Sequence, residues 1–357
     1  MLIFMQNSRL RSSSCRLQYL VTAATCVLSL LSAAHSAAAQ NIPLLSGGVG
    51  FFTNTNGGST SYQPHIEPLI AAPIGKPLLF ESRGILFENF SPNGNGQSGY
   101  NHSHLASLIY MQGDFIAAKH LTVVVGDYLL PFNTYNDRLS EIWISNFQDF
   151  PLIAGLGTMN SGSGIGGMLS GSAASSSKYS ISYNAWFSAR SGNYYFNSLR
   201  SSGGRVYLYL PENRLEIGAS FDRRLQSTQE NFVGAHVWWE PRDTGLRLRS
   251  EYSHGEHAQG YWIEGDYRLK AFGSYDSWIG RMEPVFRMQQ TFRIDNLASD
   301  SVPGVNTQRA DFGFDYNLPH NTRILTSYAR QFSSTGDVNV WETGIVYRFL
   351  FPTWKGK

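Results

Sequence analysis

The stretch "LRLRSEYSHGEH", Leu246 to His257, decides how the rest of the chain is read. In an extended backbone, Arg247, Arg249 and Glu251 share one face, while Leu246, Leu248 and Tyr252 share the other. A strand at the edge of a soluble core also alternates, but its polar face is seldom so uniformly charged. Charge on one face and grease on the other suit a wall with water inside and lipid outside. The pattern recurs in later segments. Glu264, Asp266 and Arg268 oppose Tyr261, Ile263 and Tyr267, and Arg281, Glu283, Arg287 and Arg293 oppose Pro284, Phe286, Met288 and Phe292. Arg309 and Asp311 oppose Phe312 and Phe314. A lipid-facing Arg or Lys at the bilayer midplane costs about 2–4 kcal/mol, so these charges belong on the inner face.

The connections carry a second signal. From about Gly47 to Phe351 the chain divides into about sixteen candidate strands, joined by connections that are long and short in turn. Long ones are expected at Thr53 to Ser61, Ser91 to His102, Asn133 to Ser161, Arg190 to Gly204, Arg223 to Asn231, His254 to Gly260, Asn296 to Gln308 and Ser333 to Asn339. Short ones include Ala72 to Lys76, Pro211 to Asn213, Pro241 to Gly245, a turn near Gly273 to Ser277, and Asn317 to Asn321. This beat predicts an all-β fold, a transmembrane antiparallel up-and-down barrel with short periplasmic turns and long outer loops. Sixteen strands leave a channel rather than a filled interior. Phe90, Tyr128, Trp239, Phe272, Phe292, Phe332 and Trp341 are expected in the aromatic girdles, and Trp341 to Phe351 forms a closing strand with aromatics on one face.

The first forty residues read as an export signal. Arg9, Arg11 and Arg16 precede an apolar stretch from Tyr19 to Ala34, and a small-residue cleavage site follows at Ala39. The expected organisation is therefore a signal peptide over 1–39 and an outer-membrane barrel over 40–357. Both cysteines, Cys15 and Cys26, leave with the signal, which excludes disulfide and thiolate chemistry in the mature chain. Without the three arginines the chain carries 25 basic and 26 acidic groups, so no attraction to nucleic acid is expected. Lipid is the partner that the outer face implies.

The longest connection decides what such a barrel does. In "VVVGDYLLPFNTYNDRLSEIWISNF", which runs on to Gly167, a glycine and an aromatic precede Pro131-Phe132 and the pair Asp137-Arg138. This segment resembles the phosphate-selective porin O and P family. The resemblance implies a channel whose third loop folds inward and narrows the pore, and porins of this size imply a homotrimer. A short helix is expected at Asn136 to Phe147, with Asn136 as its cap and Leu139, Ile142 and Trp143 on one side. Turned inward, Asp137, Glu141 and Asp149, with Arg138 beside them, would confront wall arginines drawn from Arg247, Arg249, Arg268, Arg281, Arg287, Arg293, Arg309 and Arg323. The other reading pairs each arginine with Glu251, Glu264, Asp266, Glu283 or Asp311 on a neighbouring strand.

The chain has only six lysines, and this loop sets one basic residue against three acids. Those counts point to passive passage of small hydrophilic solutes or anions with modest selectivity, with no cofactor and no covalent chemistry. His102, His104, His254 and His257 are expected on outer loops, too few in either place for a metal site. Ser253 beside His254 is adjacency along a strand, which turns the two side chains apart. The alternatives are an occluded barrel acting as an enzyme or adhesin through its loops, and a soluble exported β-protein.

Overall fold

The computed structural model describes residues 43–93, 99–154, 162–192, 197–226, 229–274, 277–295 and 302–352. The leader expected at 1–39 lies outside these residues. Sixteen strands form one closed antiparallel barrel. The first five are β1 (Leu44–Asn56), β2 (Ser59–Ile74), β3 (Leu78–Pro92), β4 (Tyr100–Ala118) and β5 (Leu121–Leu129). After the long third loop come β6 (Ser163–Ser175), β7 (Ser180–Ala189), β8 (Ser201–Leu210), β9 (Leu215–Arg224) and β10 (Asn231–Trp239). The last six are β11 (Leu246–His254), β12 (Ala258–Tyr267), β13 (Met282–Arg293), β14 (Thr307–Leu318), β15 (Thr322–Ser333) and β16 (Val338–Pro352). β16 pairs with β1 from Leu44↔Pro352 to Asn56↔Val340, so the sheet has no free edge.

The walls follow the period-two pattern. On β12, Trp262, Glu264 and Asp266 are buried, while Ile263 between them is exposed on the outside. On β13, Glu283, Val285, Arg287, Gln289 and Thr291 point inward, and Phe286, Met288 and Phe292 point out. Phe312 on β14 lies over Phe286 with ring centres 5.0 Å apart, part of a continuous greasy outer surface. Phe90, Phe292, Phe332 and Trp341 are exposed on it, as expected of girdle residues, whereas Phe272 is exposed on the 268–281 connection. Tyr128 is not. Its ring is fully buried and its hydroxyl donates to the carbonyls of Gly167 and Phe187, because β5 turns that residue inward beneath the third loop.

The beat of connections holds with three corrections. The expected loop at Thr53 to Ser61 is a two-residue turn, Gly57-Gly58, whose positive φ angles of 57° and 83° let β1 and β2 run on as a hairpin. "HGEH" shrinks to a turn at 255–257. The expected tight turn near Gly273 to Ser277 is instead the longest connection at its end of the barrel, 268–281, with a 3-10 turn at Leu269–Phe272. β1 to β4, at 13 to 19 residues, exceed the roughly 9–11 that a tilted strand needs to cross a bilayer, so this part of the wall stands proud of the membrane. His102 and His104 accordingly lie within β4 rather than on a loop.

Placing a charge on the outer surface tests the sidedness. Phe312→Arg is expected to lower stability in lipid vesicles by about 2–4 kcal/mol, read from equilibrium unfolding in urea. An unchanged midpoint would show that this face does not meet hydrocarbon.

Candidate functional site

The connection between β5 and β6 leaves the wall at Leu130 and folds into the barrel. Its neck is closed by Asn136, whose side-chain amide donates to the carbonyls of Leu130 and Gly162 at 2.9 and 2.8 Å. The expected helix is a single turn, Tyr135–Arg138, and Asn136 lies inside it rather than capping it. The cap comes from the wall. Glu251 Oε1 accepts from the backbone N–H groups of Thr134 and Tyr135 at 2.6 and 2.7 Å, and from the Thr134 hydroxyl at 2.7 Å. Its other oxygen accepts from the indole of Trp262 at 3.1 Å. A carboxylate thus satisfies the amides that the start of a helical turn leaves without partners. Beyond the turn the backbone bends irregularly, because its side chains are taken by separate places on the wall.

Small residues on the wall receive those side chains. A Cβ at Gly234 would lie 2.3 Å from the Asn133 side chain, and one at Gly260 would lie 2.6 Å from Ile153. Gly313 accommodates Phe147, and Gly48 accommodates Ile142 and Trp143. The loop therefore starts against β10 and β11, crosses to β1, and returns along β14 to β12. Asn133 adopts a left-handed φ of 57°, tolerable for asparagine, and its amide donates to the Tyr252 carbonyl and the Ser253 hydroxyl. Tyr135, Leu139, Ile153 and Ala154 pack with Trp262 into one apolar cluster. Ile142 and Trp143 pack instead with Phe52, Leu325 and Val346, across the barrel.

Every acidic residue expected to confront an arginine does so. Asp137 meets Arg205 at 2.7 Å, Glu141 meets Arg83 at 2.7 Å, and Asp149 meets Arg309 at 2.8 Å. Arg138 reaches Glu216 at 2.8 Å. Burial works against ionising Asp149, but Arg309 and Arg287, with hydrogen bonds from Glu342 and Arg309, outweigh it, so the carboxyl is held below its ordinary range. At Glu141 burial prevails over Arg83 and the shift is upward. Of these wall arginines only Arg309 was among the eight candidates. Arg83 in "LLFESRGILF" and Arg205 in "SSGGRVYLYL" are lone cations in apolar strands. That is itself a signal, since such a strand has only one face that tolerates a cation.

The other candidates divide into two groups. Arg249 pairs with Glu264 at 2.6 Å and Asp266 at 3.2 Å, and the half-buried Arg247 bridges Asp266 and Glu283. Arg287 donates to the Asp149 carbonyl at 3.0 Å, lies over the Phe147 ring and sits 3.5 Å from Asp311, which Arg309 also contacts. Arg323 donates to the Ser145 carbonyl and to Asn146 Oδ1, and lies 3.4 Å from Asp315. These side chains point inward as expected. Yet Arg249, Glu251, Glu264, Asp266, Glu283, Arg287, Arg309 and Asp311 are buried, so they meet their partners or the third loop rather than open water. The second group lies near the ends. Arg293 donates to the carbonyls of Val302 and Pro303 at the outer rim, and Arg268 and Arg281 belong to the 268–281 connection.

Two cavities remain. One of about 520 Å³ lies between the loop and the β1–β5 wall, where Gln63, Glu67 and Arg83 face it. The other, about 380 Å³, opens at the short-turn end and is lined by Arg268, Arg281, Arg323 and Arg348, with no carboxylate among its lining residues. Consecutive loop residues border them, Ile142 lining the first and Trp143 the second. Ser253 is fully buried and bonded to Asn133, whereas His254 is exposed on the opposite face beside Gln259, so the two form no dyad.

No protein-family model and no curated protein matches the chain. Solved structures do. An anion-selective porin from Comamonas acidovorans aligns at 10% identity over 86% of this chain and 98% of its own, with a TM-score of 0.55. Salmonella typhi OmpF, in complex with daunomycin, aligns at 12% identity over 88% and 99%, with a TM-score of 0.58. Pseudomonas aeruginosa OccK3 aligns at 11% identity over 87% and 96%, with a TM-score of 0.51. At these identities the likeness is one of fold.

Replacing Glu251 tests the anchor. Glu251→Ala leaves two loop amides and an indole without their buried acceptor, and is expected to cost about 3 kcal/mol or more. The third loop should become cleavable by added protease while the barrel stays intact. A loop as resistant as the parent's would show that it is held elsewhere.

Proposed function

We propose that this chain is an outer-membrane porin, a passive channel for small hydrophilic solutes and ions, and has no catalytic role. The observation that carries this reading is the third loop, folded into a closed sixteen-strand barrel and tied by ion pairs to β3, β8 and β14. It leaves cavities on either side of Ile142 and Trp143 instead of filling the lumen. Selectivity then rests on pore width at this pair and on the charge of the mouths. The four arginines at the short-turn end support a preference for anions. So does the resemblance of the Val123–Gly167 segment to the phosphate-selective family, with phosphate as the finer form of the same reading.

Planar-bilayer recordings of the refolded protein test this. Discrete steps of steady conductance are expected, and Trp143→Ala should enlarge them by removing an indole from the border of the smaller cavity. Replacing both Arg281 and Arg348 by alanine should move the reversal potential under a salt gradient towards cations. Silence from protein shown to be folded and inserted would contradict the open channel. An unmoved reversal potential would contradict control by the basic mouth.

A further inference from the structure

The larger cavity has an unexpected wall. Elsewhere much of the inner face is an ion-pair ladder, yet on β3 and β4 the inward positions beyond Arg83 include Ile85, Phe87 and Leu105 beside Ser107 and Asn89. Phe87 and Leu105 are direct cross-strand partners, and Leu105 remains 44% exposed although it faces the lumen. The strip continues along β2 and β1. The His65 ring meets Phe87 edge-on at 5.5 Å, and Phe52 meets His65 at 6.2 Å. From the loop, Phe147 and Phe150 line the same space. Polar groups stand beside this strip. Gln148 donates to Gln63 at 2.8 Å, Glu67 lies 3.1 Å from His65, and Arg83 and Asp149 line the same space, so both signs of charge border it.

Apolar side chains turned towards water gain nothing from that placement. In a barrel whose opposite wall is mostly polar and buries its inward apolar side chains, such as Trp262 and Val285, they mark a place where something other than water is held. Both signs of charge within one cavity suit a head group that carries both. We infer that this cavity is a binding site for small zwitterionic solutes bearing an aromatic ring. The ring lies against Phe87, Leu105 and Ile85, and the head lies towards Arg83 and Glu67. This deepens the channel reading and rests on it for the passage of solute, though not for its binding. Such a solute would pass more slowly than a hydrophilic one of the same charge, and would be preferred at low concentration.

Phenylalanine and alanine test this, because they share one head group and differ by the ring. Added during bilayer recording, phenylalanine is expected to reduce the open current in a saturable way, with at least a threefold greater effect than alanine at equal concentration. Each protein's block is read as a fraction of its own open current. The Phe87→Ser, Leu105→Ser double variant, with folding checked by heat-modifiable gel mobility, should lose that difference. Equal block by the two amino acids, or an undiminished difference in the double variant, would overturn the site. If the protein inserts but does not conduct, equilibrium dialysis with radiolabelled phenylalanine decides separately. Retention by the folded parent and not by the variant supports the site without the channel, and no retention overturns it.

Discussion

A chain segment inside a barrel lumen brings backbone N–H and C=O groups that no sheet ladder can receive, and here the carboxylate of Glu251 meets the first of them. The arrangement that follows depends on this contact. With Thr134 and Tyr135 fixed against β11, Asp137 falls opposite Arg205, and Arg138 falls opposite Glu216. The chain then reaches β1 at Gly48 and returns to Arg309 through Asp149. Each tether is a charge pair or a charge-assisted hydrogen bond in a site shielded from water. Such pairs add little net stability over apolar packing, but losing one partner leaves an uncompensated buried charge. They therefore fix the position of the loop more than they strengthen the barrel.

The same tethers decide where space is left. Most of the loop's polar contacts reach β8–β14, with further ties to Arg83 on β3 and Gly48 on β1, and between these ties a cavity opens against β1–β5. The charged ladder from Arg247 to Asp311 is thus largely a foundation for the loop, and the open space has a mixed and partly apolar lining. At the short-turn mouth, Arg268, Arg281, Arg323 and Arg348 surround one cavity. Width, apolar contact and mouth charge are set by three separate groups of residues.

Much of this was legible in the sequence. Alternation in segments such as "YWIEGDYRL" sets both faces of a strand at once, because the side-chain period of two and the cost of charge in lipid admit one solution. The in-folded loop was legible through its length and its Pro131-Phe132 and Asp137-Arg138 elements. Partner choice was not, since which wall arginine meets which loop acid depends on barrel stagger and loop path. Arg83 and Arg205 were missed for that reason. The turn at Gly57-Gly58 was misjudged because polar residues on a strand that rises above the membrane resemble loop residues. The strip at Ile85, Phe87 and Leu105 was hidden for a different reason. On β3, Ile85 and Phe87 keep Arg83's parity, but apolar residues there were not expected to face water, and on β4 a bulge at Ile109 shifts the parity that places Leu105.

The account's central claim is that the loop buries the β10–β14 wall and leaves the β3–β4 strip around Leu105 open to water. Single cysteines test it most directly, placed in a chain whose Cys15 and Cys26 are replaced by serine. A charged methanethiosulfonate reagent, added during conductance recording, should modify Leu105→Cys and reduce the current. It should leave Ser253→Cys unmodified, because that position lies fully buried beneath Asn133. Equal reactivity at the two positions, or an inert Leu105→Cys, would contradict the account.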